Sequence, residues 1–137
     1  MAYWLLKTEP GAYSLDDFER DRNTTWDGIT NPAALKNLRD MAKGDACVVY
    51  HTGEERAAVG IALVARTAYA DPASGDPKRP VVDLRFRKRF LRPVTLAVLK
   101  SYAAFKDSPL VRQGRLSVVP LSDAQWSALL ALADTAI

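Results

Sequence analysis

The sequence predicts an α+β fold, a mixed or antiparallel curled sheet flanked by short α-helices. Three observations carry that expectation. The apolar runs Ala46-Cys47-Val48-Val49-Tyr50 and Ala57 to Ala65 read as buried strands. Good capping residues stand ahead of several short helical stretches. The order of elements is strand, helix, helix, several strands, short helices, strand, helix. It lacks the regular alternation of strands with long helices that a doubly wound parallel sheet needs. A chain of 137 residues is expected to make one domain, 1–137.

In chain order, Tyr3-Trp4-Leu5-Leu6 reads as a first strand, broken after Lys7-Thr8-Glu9 by Pro10-Gly11. Ser14 caps a short helix whose first turn holds Asp16 and Asp17, where carboxylates suit the helix dipole, and which ends near Arg22-Asn23. Trp26-Asp27-Gly28 reads as a loop leading to a second helix, with Asn31 as cap and Pro32 as first residue. Ala34, Leu35, Leu38, Met41 and Ala42 form its apolar face, and Gly44 supplies a left-handed stop before a strand over 46–51. After the polar loop Gly53-Glu54-Glu55-Arg56 comes a central strand, with a bulge or close approach at Gly60.

Three prolines and a glycine between Asp71 and Pro80 demand an irregular loop. Val82, Leu84 and Phe86 then alternate with Asp83, Arg85 and Arg87, the pattern of a half-exposed strand. Thr95 caps a short helix over Leu96 to Tyr102, and Ser108-Pro109 opens another brief turn. Leu116 to Pro120 is extended. Ser122 and Gln125 make a capping box for a last helix whose apolar stripe is Trp126, Leu129, Leu130 and Ala133.

Composition is that of an ordinary globular protein, 48% hydrophobic and 26% charged. Net charge is +3, which permits a nucleic-acid partner without demanding one. No basic leader and no run of about 18 uncharged apolar residues is present, so neither secretion nor a membrane partner is expected. Cys47 is the single cysteine; it excludes an intrachain disulfide, fits a reducing cytoplasm and reads as a small buried hydrophobe.

Catalytic motifs are sparse. One histidine, His51, has no nucleophile or carboxylate that the sequence assigns to it. One His and one Cys leave a metal site two ligands short, and no glycine-rich phosphate loop occurs. The expectation is therefore no enzyme, no cofactor and no metal. His51-Thr52, at a strand end, can turn polar side chains into a pocket, or His51 can be a satisfied structural residue.

Arg85, Arg87, Lys88 and Arg89 form the densest positive cluster; the shared face of Arg85, Arg87 and Arg89 is either merely solvated or a set of phosphate contacts. Trp126 and Trp4 read as core. Trp26 stands outside any periodic apolar pattern, so its ring either plugs the edge of the core or meets a planar ligand beside the Asn31 amide.

Five blocks then resemble the EVE domain family of PUA-like proteins. They are Tyr3 to Pro10 with Tyr13-Ser14; Trp26-Asp27-Gly28-Ile29-Thr30-Asn31; Leu38-Arg39-Asp40-Met41 with Gly44-Asp45; Tyr50-His51-Thr52; and Arg115-Leu116-Ser117-Val118. The match runs nearly end to end and in order. The resemblance implies a PUA-like curled mixed sheet or pseudo-barrel, similar to YTH and ASCH domains. It also implies a nucleic-acid partner whose modified base, a methylated cytosine or adenine in DNA or a modified RNA base, enters an aromatic-lined pocket.

Carried over by motif, Trp26 is a cage wall, Asn31, His51 and Thr52 are base-reading groups, Lys7 and Ser14 line the mouth, and Tyr69 is a second wall. Two departures stand beside this. Ile29-Thr30-Asn31-Pro32 replaces the commoner Val-Arg-Asn-Tyr, and His51-Thr52 the commoner His-Ser. The leading expectation is a non-catalytic reader of a modified base. The alternatives are an enzyme acting on a nucleotide or modified RNA through His51, and a protein-interaction module with a vestigial pocket.

Overall fold

Backbone pairing in the computed structural model, which describes residues 1–137, builds one six-stranded sheet in the order β2-β5-β4-β3-β1-β6. The strands are β1 (Tyr3–Thr8), β2 (Asn23–Trp26), β3 (Ala46–His51), β4 (Ala57–Ala70), β5 (Pro80–Thr95) and β6 (Val118–Leu121). β1 and β3 run parallel, and every other neighbouring pair is antiparallel. The helices are α1 (Leu15–Asp21), α2 (Pro32–Asp40), α3 (Leu96–Lys100), α4 (Pro109–Arg112) and α5 (Asp123–Leu132), with a 3-10 turn at Ala103–Phe105. This is the expected α+β class with a mixed sheet. No helix is long and apolar enough to cross a membrane.

Local chemistry accounts for the helix starts. Ser14 accepts from the Asp17 N–H while Asp17 accepts from the Ser14 N–H, and Ser122 and Gln125 make the same reciprocal box. Asn31, Thr95 and Ser108 each accept a backbone N–H at the head of α2, α3 and α4. α2 stops at Asp40, so Ala42 falls outside its apolar face and is exposed. Gly44, at φ 91°, serves the turn after the helix rather than its cap.

All six residues of β3 are buried, because this strand lies inside the sheet and is covered on both faces. Gly60 is a close approach as expected. A Cβ there would lie 2.8 Å from Leu15 Cδ1 and 2.9 Å from the Lys88 carbonyl oxygen. The β4–β5 pairing shifts register at four places, one of them at Gly60, and such bulges sharpen the twist that curls the sheet.

Two strand limits differ from expectation. β4 runs on to Ala70 and β5 to Thr95, as a ribbon whose far end is held by cross-strand pairing more than by burial. The segment before Trp26 is a strand, not a loop. β2 pairs with β5, Trp26 opposite Val82, and its Asn-Thr-Thr run carries no apolar alternation because it is a sheet edge.

The core is one cluster of buried side chains that includes Trp4, Trp26 and Trp126. Trp126 of α5 stacks on Tyr3 with ring centroids 4.5 Å apart. Phe18 of α1 meets Trp26 and Phe86. α2 reaches the far sheet edge, where the Asn37 side-chain amide donates to the Val118 carbonyl at 2.7 Å.

Candidate nucleic-acid interface

The curl of the sheet leaves a gap between its two edges, and the largest cavity lies there. Its walls are the end of β1, the Ala12–Tyr13 turn, Thr24 to Trp26 of β2, the segment 27–31, and Arg115 and Ser117 ahead of β6. Its volume is about 670 Å³, within the roughly 300–1,000 Å³ usual for ligand clefts. Only a sheet rolled far enough to bring β2 round to β1 and β6 can build one cavity from both edges.

Two rings form the apolar wall. Trp26 is 6% exposed, so it offers the cavity only the margin of its ring. Its orientation is set by Tyr13, which meets it edge-on at 6.4 Å and 83°, and by Phe18 at 6.4 Å. Tyr13 is half-buried, and its hydroxyl donates to Asp21 at 3.0 Å. Burial, with the Asp21 carboxylate alongside, pushes its phenol above the ordinary value and keeps it neutral.

The polar wall is equally organised. Asn31 supplies its oriented group; the Thr25 hydroxyl, by contrast, donates to Asp83 at 3.0 Å on the face of β2 opposite Trp26. Asn31 Oδ1 is spent on the Ala33 and Ala34 N–H groups, so its side chain faces a ligand as a donor through Nδ2. Two cations stand at the cavity, Lys7 and Arg115, and neither forms an ion pair. Lys7 Nζ donates to the Gly114 carbonyl at 2.9 Å and lies 5.9 Å from the centre of the Tyr50 ring. Burial lowers its pKa below the usual lysine value, as expected for an ammonium with no counter-charge. Fixed ring margins, one oriented donor and two cations outside any ion pair suit a planar hydrogen-bonding ligand that carries an anion.

Of the residues expected at the site, the structure brings together Lys7, Trp26 and Asn31. Thr52 lines a smaller neighbouring cavity instead. Ser14 is consumed by its capping bond, and the ring that reaches the cavity belongs to Tyr13 beside it.

His51 does not line the cavity. It is 8% exposed; its Nε2 accepts the Leu15 N–H at 3.0 Å and its Nδ1 sits 2.8 Å from Glu55 Oε2. The tautomer with the proton on Nδ1 satisfies both bonds and pins the start of α1 to the end of β3. The enzyme alternative placed its chemistry on His51, whose two nitrogens are both occupied.

Tyr69 is not a wall of the cavity. Its ring is covered by the Arg66 guanidinium at 3.6 Å, and its hydroxyl donates to Asp83 at 2.5 Å, a bond that holds the phenol above its ordinary pKa. Asp83 also accepts from Thr25, so the three side chains meet on the face of β2 opposite Trp26.

Arg85, Arg87 and Arg89 lie away from the cavity. Arg89 pairs with Asp16 and, at 2.9 Å, with Glu19 of α1, while Arg87 donates to the Ile137 carbonyl at 3.1 Å. Both α1 acids are far from Arg89 in sequence, and alternation along β5 carries no sign of them.

Tyr13 and Arg115, both at the cavity, stood inside the blocks that carry the family resemblance, but nothing in their spacing assigned them a role.

Comparison with known proteins agrees with the architecture. The EVE domain family model matches residues 2–132. Mouse thymocyte nuclear protein 1 is 29% identical, over 97% of this chain and 74% of its own length. A solved protein from Pseudomonas syringae is 36% identical with a TM-score of 0.90, covering 96% of this chain and 99% of its own. Human THYN1, solved in complex with DNA containing 5-methylcytosine, is 27% identical with a TM-score of 0.90 and full coverage of both chains. The YTH domain of Zygosaccharomyces rouxii MRB1 shares the fold alone, at 12% identity and a TM-score of 0.63. A family match over nearly the whole length and the rolled mixed sheet lead to one conclusion: this chain belongs to the EVE domain family, with its PUA-like fold.

Proposed function

We propose that this protein is a non-catalytic module that binds nucleic acid through a modified base held in the Tyr13–Trp26 cavity. The observation that carries the reading is the convergence, in one open cavity, of aromatic margins, a fixed donor, and two cations outside any ion pair. The human relative bound to DNA containing 5-methylcytosine supports it.

The mechanism is extrusion of one base from its stack, at a cost of about a few kcal/mol. Ring contact offsets part of that, toward the low end of the roughly 1–3 kcal/mol per stacked base, because Trp26 offers only its margin. A methyl group seated against Trp26, Tyr13 or Ile29 adds about 0.8 kcal/mol. Lys7 and Arg115 take the flanking phosphate without reading sequence.

Titration of labelled oligonucleotides, DNA and RNA, tests the proposal. Each carries 5-methylcytosine, N6-methyladenine or no modification. At least one modified strand is expected to bind about fivefold more tightly than its plain counterpart, the equivalent of about 1 kcal/mol. Equal affinity across the whole set sinks the reading.

A further inference from the structure

Lys7 lines not one cavity but two. The second, of about 280 Å³, is bordered by Lys7, Tyr50, Thr52, Arg56, Leu96 and Leu110, and closed by Gly53 and Gly114. Gly114 is the residue before Arg115 of the larger cavity, so the two spaces adjoin at Lys7 and at this turn. Their linings differ in charge. The larger cavity holds Glu9 and Asp27 beside its cations, whereas the smaller has two cations and no carboxylate.

Arg56 donates through Nε to the Gly53 carbonyl at 3.2 Å, which leaves its terminal nitrogens without a protein partner. Its backbone sits at φ 44° and its carbonyl accepts the Leu96 N–H at 2.8 Å, so the base of the side chain is anchored. The floor is apolar: the buried Tyr50 and Leu110, with Leu96 at the side. Thr52 reaches it with a hydroxyl held only by a long 3.4 Å bond to the Thr8 carbonyl.

Two cations over an apolar floor make a site for a nucleotide, the cations for phosphate and the floor for sugar or base. We infer that the second cavity holds the nucleotide next to the modified one on the same strand, with the linking phosphate at Lys7 and the following phosphate at Arg56. This rests on the base-reading function above. It gives Lys7 a counter-charge at the point where the strand crosses from one cavity to the other. It also gives Thr52 a place beside the neighbouring nucleotide rather than the modified base.

The test compares two ligands, the free nucleoside 5-methyldeoxycytidine and a trideoxynucleotide centred on the same base, each beside its unmethylated counterpart. N6-methyldeoxyadenosine forms a second pair of ligands. Wild type is expected to bind the modified trinucleotide at least tenfold more tightly than the nucleoside. Arg56→Ala, a surface change, is expected to lose about five- to tenfold on the trinucleotide and nothing on the nucleoside, while Arg56→Lys recovers part of the loss. No preference for the trinucleotide, or an Arg56→Ala loss that is absent or equal for both ligands, overturns the second site and leaves the base-reading function standing. If wild type binds neither methylated ligand better than its plain form, base reading on DNA fails, and the second site as a DNA nucleotide site with it.

Discussion

Two sets of cations tell opposite stories. Arg85, Arg87, Lys88 and Arg89 are packed together along β5 and dominate the charge pattern of the sequence. In the fold only Arg89 of the four forms an ion pair, and none of them borders the cavity between the sheet edges. Arg89 answers two carboxylates of α1, and Arg87 and Lys88 donate to the carbonyls of Ile137 and Ala136. Lys7, Arg56 and Arg115 are scattered across more than a hundred residues, yet they border two adjoining cavities and none of them forms an ion pair. Density along the chain measures how charged a strand is. Only the roll of the sheet decides which charges border the cavity between its two edges.

The largest effect expected is at Trp26, where the cavity wall is also core. Trp26→Ala should cost about 3–5 kcal/mol of stability, read by denaturant unfolding, and abolish oligonucleotide binding with it. Trp26→Phe should retain the fold and weaken binding of the modified strand selectively; unchanged selectivity would remove the ring from base recognition.

His51 comes next. Its replacement by Ala leaves the buried Leu15 N–H unpaired and should destabilise the protein by about 1–3 kcal/mol. Affinity, measured well below the melting temperature, should stay within about threefold of wild type. A large loss of binding with stability intact would return His51 to the site.

The direct contrast between the cation sets follows. Lys7→Met and Arg115→Ala should each weaken oligonucleotide binding about tenfold and lower the salt-dependence slope by about one. Arg87→Ala should leave that slope unchanged. Because burial holds the Lys7 ammonium below the usual lysine value of 10.5, it loses its charge first as pH rises. Wild-type affinity should therefore fall in the alkaline range before ordinary lysines titrate, and Lys7→Met should lack that early fall.

The smallest effect is at Arg89. Its side chain is 45% exposed, so losing the pairs to Asp16 and Glu19 in Arg89→Ala should cost no more than about 1 kcal/mol in thermal unfolding, less at high salt. Binding should not change. If Arg89→Ala weakens binding more than Arg115→Ala does, the contrast between the two sets is inverted.

What the sequence determined by itself was whatever depends on neighbours a few residues apart. The caps at Ser14, Asn31, Thr95, Ser108 and Ser122 are local hydrogen bonds, so their side-chain chemistry announces them. The burial of β3 and the approach at Gly60 were legible because a strand covered on both faces must be apolar throughout, and a glycine inside it marks backbone contact. The family blocks pointed to Lys7, Trp26 and Asn31, which do share one cavity.

The tertiary structure alone decided the rest, because the deciding partners are distant in the chain. An edge strand such as β2 needs no apolar alternation, so Trp26 looked like a loop residue until β5 paired with it. His51 could be read as a pocket group or as a satisfied structural residue until the Leu15 N–H and the Glu55 carboxylate claimed its two nitrogens. Arg89 looked available until α1 brought Asp16 and Glu19 against it. Arg115 acquired its place only when the sheet rolled its two edges together. Whether a polar side chain is satisfied or left free for a ligand depends on what the completed fold sets against it.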